Sequence, residues 1–233
     1  MTPITTTAEL SAFCKSLKGQ PFIAVDTEFM RETTYWPKLC LIQVASPEQE
    51  ACIDPMADGI DLTPLLDILR DEKVQKVFHA ARQDVEIFNN LGAMPKPLFD
   101  TQIAGMAAGF GEQIAYDALV RQMLKADIDK SSRFTDWSRR PLSETQLVYA
   151  LGGAFAPGGD GLEDGEVLGG VLAGFEPLPG AFRIDVVEGR VGERGHLLLD
   201  PGQAPLLLQP RAQHRVKPGE VGDVAQRIGQ LRL

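Results

Sequence analysis

The sequence predicts an α/β domain with a mixed sheet over residues 1–151, followed by a segment of different character. Two observations point there. Short apolar runs come first and then alternate with stretches of helical periodicity, the order that builds a sheet covered by helices. The composition also changes near residue 151: residues 1–151 hold 6 Gly and 9 Pro, whereas 24 of the 82 residues of 152–233 are Gly or Pro. That is about 29%, a level associated with poor order. Lysine falls from 8 to 1 across the same boundary.

Residues 22–25 (FIAV) form an apolar, partly β-branched run that ends at Asp26, and residues 40–45 and 51–53 are further strand candidates. The three would form a meander. Residues 61–71 (DLTPLLDILRD) have apolar positions at helical spacing, and 74–78 read as a strand. A helix over 82–91 ends at Gly92, which tolerates the positive φ of a helix C-terminus. Residues 101–108 and 116–124 are two more helices. Ser143 and Gln146 make a capping-box pattern, flanked by Leu142 and Leu147 at staple spacing, so a helix should start at Ser143 and run through Tyr149. Gly152, Gly153 and Pro157 should end it early. Beyond lie short strand candidates at 182–187 and 196–199, a weak helix at 221–231, and no repeat.

The bulk properties exclude several classes. Hydrophobic residues make up 44% and charged residues 24%, with no apolar run near membrane-spanning length. The N-terminus has no basic flank leading into an apolar block, so no signal peptide is expected. Three cysteines without metal-ligand spacing fit a reducing cytoplasm. A net charge of −9 repels a polyanion, so nucleic-acid binding would need bound cations or a local basic patch.

Asp26 and Glu28 stand two apart at the end of a strand, so alternation puts both carboxylates on one face. Such a pair either holds a hard cation, Mg²⁺ or Mn²⁺, or is simply solvated. Asp84 lies in the first turn of a helix, where the helix dipole favours an acid. His79 precedes it by five residues, and a lone His is more often a capping or packing group; three His in the chain make no zinc site. Asp100 is placed to cap the following helix. Residues 129–140 (DKSSRFTDWSRR) interleave Lys130, Arg133, Arg139 and Arg140 with Phe134 and Trp137. This suits phosphate contacts and base stacking, or equally a solvated loop anchored by its Trp. Tyr35 and Trp36, with Arg31, line the same cleft or pack the core.

Taken together, VDTEFMRETTYWPKLCLIQVA, VFHAARQDVEIF, FDTQIA and DKSSRFTDWSRRPLSETQLVYAL strongly resemble the ribonuclease D family over residues 1–151. These are 3′–5′ exoribonucleases of the DEDD superfamily, in its tyrosine-bearing branch, with an RNase H-like fold. The resemblance implies that Asp26, Glu28 and Asp84 bind divalent metal, two ions being expected, and that Tyr149 orients the attacking water. It implies RNA as partner, specifically structured 3′ ends such as tRNA precursors. The residues set against RNA are then Arg31, Tyr35, Trp36, His79, Lys130, Arg133, Trp137, Arg139 and Arg140. No membrane association is expected, and no protein partner is predicted.

The sequence departs from the family at one point. The third motif is Tyr followed four residues later by Asp, and here the fourth residue after Tyr149 is Gly153. The fold is therefore expected to be incomplete at its C-terminal side and the activity impaired; Asp160 or Asp164 would be poor substitutes from a Gly-rich segment. Nothing in 152–233 resembles the helices or HRDC domains that follow in the family. The segment reads as foreign sequence, such as a reading-frame shift in a GC-rich gene produces, or else as a lineage-specific extension. The alternatives to an exoribonuclease are a non-catalytic RNA-binding remnant and a truncated product that folds poorly.

Overall fold

The computed structural model describes residues 2–32, 34–124, 127 and 135–155. The strands and helix expected within 182–231, together with Asp160 and Asp164, lie outside the described residues. Helix α1 (Thr7–Leu17) opens the chain and was not read from the sequence. It carries its own start signal: Glu9 N–H donates to Thr6 Oγ1 at 3.3 Å, and Thr6 N–H donates to Glu9 Oε2 at 3.2 Å. Leu10, Cys14 and Leu17 form its buried stripe.

The sheet has five strands in the order β3-β2-β1-β4-β5. Strands β1 (Phe22–Met30), β2 (Lys38–Ala45) and β3 (Glu50–Ile53) form the antiparallel meander expected from their apolar runs. Strand β4 (Gln75–Phe78) adds in parallel to β1, and β5 (Leu98–Asp100) in parallel to β4, so the sheet is mixed. Strand β1 runs five residues past Val25, carrying the acidic positions within the ladder rather than beyond its end.

The two faces of the sheet are buried by different partners. Odd-numbered β1 residues Ile23 and Val25 pack with α1, α2 (Thr63–Arg70) and α3 (Arg82–Asn90) through Leu10, Leu65, Leu69 and Phe88. Even-numbered Ala24 packs with Leu41, Cys52, Trp137 and, from α6 (Glu144–Phe155), Leu147, Ala150 and Leu151. A smaller cluster joins α4 (Thr101–Ala107) and α5 (Tyr116–Leu124). Lys76 on β4 is fully buried, its ammonium donating to the carbonyls of Asp71 at 2.7 Å and Val74 at 2.6 Å, and to that of Lys96. Three acceptors match the three protons of the ammonium.

Helix α6 begins as its capping box requires, with Gln146 N–H donating to Ser143 Oγ at 3.2 Å and Ser143 N–H to Gln146 Oε1 at 3.0 Å. It does not stop at the glycine pair. The helix continues through Gly152 and Gly153 to Phe155, two residues before Pro157. The cost of Gly in a helix, about 1 kcal/mol each, is outweighed by the preceding turns being fastened to the sheet through Leu147, Ala150 and Leu151. Among the described residues no helix is long and apolar enough to cross a membrane.

Candidate active site

Asp26 and Glu28 occupy one face of β1, opposite Gln43 and Leu41 of β2, and the ladder shifts register between Glu28 and Phe29. Such a bulge re-aims side chains at the end of a regular ladder. Thr27 N–H donates to Asp26 Oδ1 at 2.9 Å. Alternation turns the buried Thr27 side chain the other way, where its hydroxyl donates to Asp84 Oδ1 at 2.5 Å.

Asp84 is delivered by the turn between β4 and α3. Ala80 there has φ +58, a left-handed conformation that a non-glycine residue adopts only when its surroundings hold it. The holder is Asp100 at the end of β5. Its carboxylate accepts from Ala80 N–H at 3.0 Å, Ala81 N–H at 2.9 Å and Gln102 N–H at 2.8 Å, so it caps α4, as expected, and also fixes the launch of α3. His79 braces the same junction. Its Nε2 donates to the Ile114 carbonyl at 3.0 Å, its Nδ1 lies 2.9 Å from Thr101 Oγ1, and its ring lies against Tyr116 at 5.3 Å. Both ring nitrogens are committed inside the protein.

Burial raises all three acids, and like charge adds to it at Glu28 and Asp84. Burial pushes Glu28 up to about 8, and the negative charges of Asp26 and Asp84 add to it. Burial, then the charge of Asp26, raises Asp84 against the opposing hydrogen bond from Thr27. Burial raises Asp26, with Thr27 N–H opposing. Tyr116 is also raised, first by burial and then by Asp26, which places a phenol within electrostatic reach of the cluster. That neighbour was missed from the sequence, where Tyr116 reads only as a helix start.

Carboxylate oxygens whose charges repel one another are the donor set of a hard divalent cation, so Mg²⁺ or Mn²⁺ fits the chemistry of the group and soft metals do not. Among the described residues, no three His, Cys, Asp or Glu side chains are arranged as a ready-made ligand cage. The donors fit an open site that needs further oxygens from substrate, water or another side chain.

The remaining expected residues separate into groups. Tyr149 lies on α6, half-buried, its ring 6.0 Å from that of Trp137. Trp137 is itself only 3% exposed, an anchor in the layer beneath α6 and no open platform for a base. Arg140 is turned inward: its guanidinium grips Asp54 with bonds of 2.6 and 2.7 Å and donates to the Cys40 carbonyl at 2.6 Å. Arg139 is exposed. Arg31 pairs in a fork with Glu86 at 2.8 and 3.1 Å. Tyr35 and Trp36 are 80% and 55% exposed and meet edge to face at 4.9 Å. Trp36, Pro37 and Leu39 form one wall of a groove whose other wall is Ile87 and Asn90 of α3, the helix that carries Asp84, and Leu91 just after it. Lys130 and Arg133 lie outside the described residues.

The sequence model of a 3′–5′ exonuclease family matches residues 1–154. A ribonuclease D of Jannaschia sp. (strain CCS1) is 58% identical over 153 residues, covering 64% of this chain and 40% of the relative. A ribonuclease D of Nitrobacter hamburgensis is 55% identical over 149 residues, covering 64% and 39%. The chain thus spans about two fifths of the length of these curated relatives. Among solved structures, Escherichia coli RNase D, described as an exoribonuclease involved in structured RNA processing, aligns with a TM-score of 0.64 at 35% identity, covering 75% of this chain and 46% of that one. Brucella melitensis NrnC with bound Mg²⁺ aligns with a TM-score of 0.52 at 25% identity, covering 58% and 67%.

Proposed function

We propose, because this chain belongs to the 3′–5′ exonuclease family, that its N-terminal part is the catalytic domain of a ribonuclease D-type exoribonuclease. In this reading Asp26, Glu28 and Asp84 hold divalent metal, and the substrates are structured RNA 3′ ends such as tRNA precursors. The observation that carries it is the electrostatic linkage of those three acids, which arrive from a strand and a helix: the charge of Asp26 raises both Glu28 and Asp84, and that of Asp84 raises Glu28. A divalent cation, when bound, supplies positive charge to the scissile phosphate and acidifies water. The protein's own part is to hold the carboxylates together. Asp100 sets the turn, Thr27 orients Asp84, and β1 presents Asp26 and Glu28 on one face. Tyr149 then holds water by its hydroxyl, while the exposed pair Tyr35 and Trp36 offers π-faces to bases leaving the site.

Gly153 in the place of the family's fourth acid removes one ligand, so turnover is low. That residue also favours a second reading, an RNA-binding remnant that no longer cleaves. The three cysteines are free and buried, as suits a reducing cytoplasm, where we place the protein. Residues 152–233 are proposed to be a separate tail, although the helix beginning at Glu144 crosses its first residues. The test is to incubate the full chain with 5′-labelled, 3′-extended RNA and Mn²⁺ or Mg²⁺. A ladder of shortening products that Asp26→Ala abolishes supports the enzyme. Binding without shortening supports the remnant, and a broad uncooperative melt supports a poorly folded product.

A further inference from the structure

Gln43 on β2 is completely buried, and neither its Nε2 nor its Oε1 has a hydrogen-bond partner among the described residues. Buried amides are nearly always satisfied, so an orphaned pair of polar atoms calls for an explanation. Its position supplies one. Gln43 is the direct cross-strand partner of Asp26 in the antiparallel ladder, and such partners share a face with Cβ atoms about 4.5–5.5 Å apart. The same face carries Leu41 and Ala45, packed with Leu147, Ala150 and Leu151 of α6, so the amide lies in apolar surroundings where a donor is strongly drawn to an anion. The Asp26 carboxylate, for its part, accepts from Thr27 N–H at Oδ1 and from no other donor among the described residues. A donor without an acceptor and a carboxylate with spare acceptor capacity therefore stand on one rung of the sheet.

We propose that Gln43 is a positioning residue for the Asp26 carboxylate: its Nε2 donates to Asp26 when the acidic cluster holds a divalent cation, fixing the orientation that presents an oxygen to the ion. The inference rests on the metal-binding reading of Asp26. It follows from placement: a carboxylate that gives one oxygen to an ion keeps lone pairs turned away from it, and the Gln43 amide is a donor left without a partner on that rung among the described residues. Groups that orient a ligand from behind contribute to metal affinity without touching the metal.

The experiment uses the full 233-residue chain and Mn²⁺ alone, with bound metal read from the loss of the free-ion electron paramagnetic resonance signal. Gln43→Met and Gln43→Leu keep the volume and remove the donor. The expected result is a metal-free melting temperature equal to or above that of the unaltered protein, with Mn²⁺ affinity about tenfold weaker. Asp26→Asn serves as the reference for losing the ligand itself. If Asp26→Asn weakens Mn²⁺ binding and both Gln43 variants bind as tightly as the unaltered chain, the positioning role is wrong and the metal reading stands. If Asp26→Asn binds Mn²⁺ unchanged, the metal reading falls and takes this inference with it. Should both Gln43 variants fail to fold, the unaltered chain still decides: the side-chain amide resonances of Gln43 must shift on Mg²⁺ addition, and resonances that stay fixed overturn the proposal.

Discussion

Thr27 donates its hydroxyl proton to Oδ1 of Asp84 at 2.5 Å, joining β1 to α3 across 57 residues of sequence. Thr27 sits between the two acids of β1 but faces away from them, so one strand presents Asp26 and Glu28 on one face and fixes Asp84 from the other. Thr27→Val preserves shape and removes the donor. The buried Asp84 carboxyl then loses the side-chain bond that opposes its burial, and its pKa rises further. The expected cost is about 1–2 kcal/mol of stability, measured by urea unfolding of the metal-free protein. A cost within error of zero would show that the bond carries no free energy.

The raised carboxylates give stability a particular dependence on pH. Glu28 titrates at about 8 in the folded protein against an ordinary 4.5, and Asp26 and Asp84 move in the same direction. Between those limits the folded state holds protons that the unfolded chain has released. The contribution of these groups is therefore fully present below the unfolded value and is lost as pH rises through the folded one. Metal-free protein should melt lower at about pH 8.5 than at about pH 5.5, and Mn²⁺ should recover most of the difference at the higher pH. Asp84→Asn should flatten the profile. A melting temperature that climbs across this window in the metal-free protein contradicts the assignment of the cluster.

Local pattern made much of this legible. The apolar runs at β1 to β4, the D-x-E alternation and the Ser143–Gln146 box all act between near neighbours in sequence. Other features were hidden for physical reasons. Strand β5 has three residues, too few for any period to show. Helix α1 is marked by the Thr6–Glu9 box and by a stripe of only three apolar residues, Leu10, Cys14 and Leu17, a short signal beside the threonine run at its start. The glycine pair predicts an early end to α6, because propensity is local while the packing of Leu147, Ala150 and Leu151 on the sheet is not. The same holds for Arg140, whose neighbours read as a basic loop and whose actual partner, Asp54, lies 86 residues away.

That pairing separates structural from RNA-facing charge. Arg140 holds Asp54 through two nitrogens, with the Asp54 side chain only 7% exposed. Arg140→Lys keeps the charge but cannot form the planar fork or reach the Cys40 carbonyl at the same time. It should lower stability by about 1–2 kcal/mol while leaving the affinity of the folded protein for single-stranded RNA unchanged. Trp36→Ala, at a position 55% exposed, should do the reverse, weakening RNA binding with little effect on unfolding. Filter binding and urea unfolding on the same preparations separate the two. Equal losses of RNA affinity in both variants would place Arg140 at the RNA after all.

Helix α6 places position 153 one turn beyond Tyr149, because it remains helical to Phe155. Residues four apart share a face of a helix, so an acid introduced there projects from the same side as the tyrosine. Gly153→Asp should therefore raise Mn²⁺-dependent shortening of 5′-labelled RNA, by about 10- to 100-fold if the missing ligand is what limits turnover. Gly153→Ala is the necessary comparison. It brings the same relief of helical backbone entropy, about 1 kcal/mol, with no carboxylate. A gain in activity shared by both variants would assign the defect to a weak helix. A gain confined to the aspartate assigns it to the site, and no gain from either points to residues beyond Phe155 as the missing part of the catalytic domain.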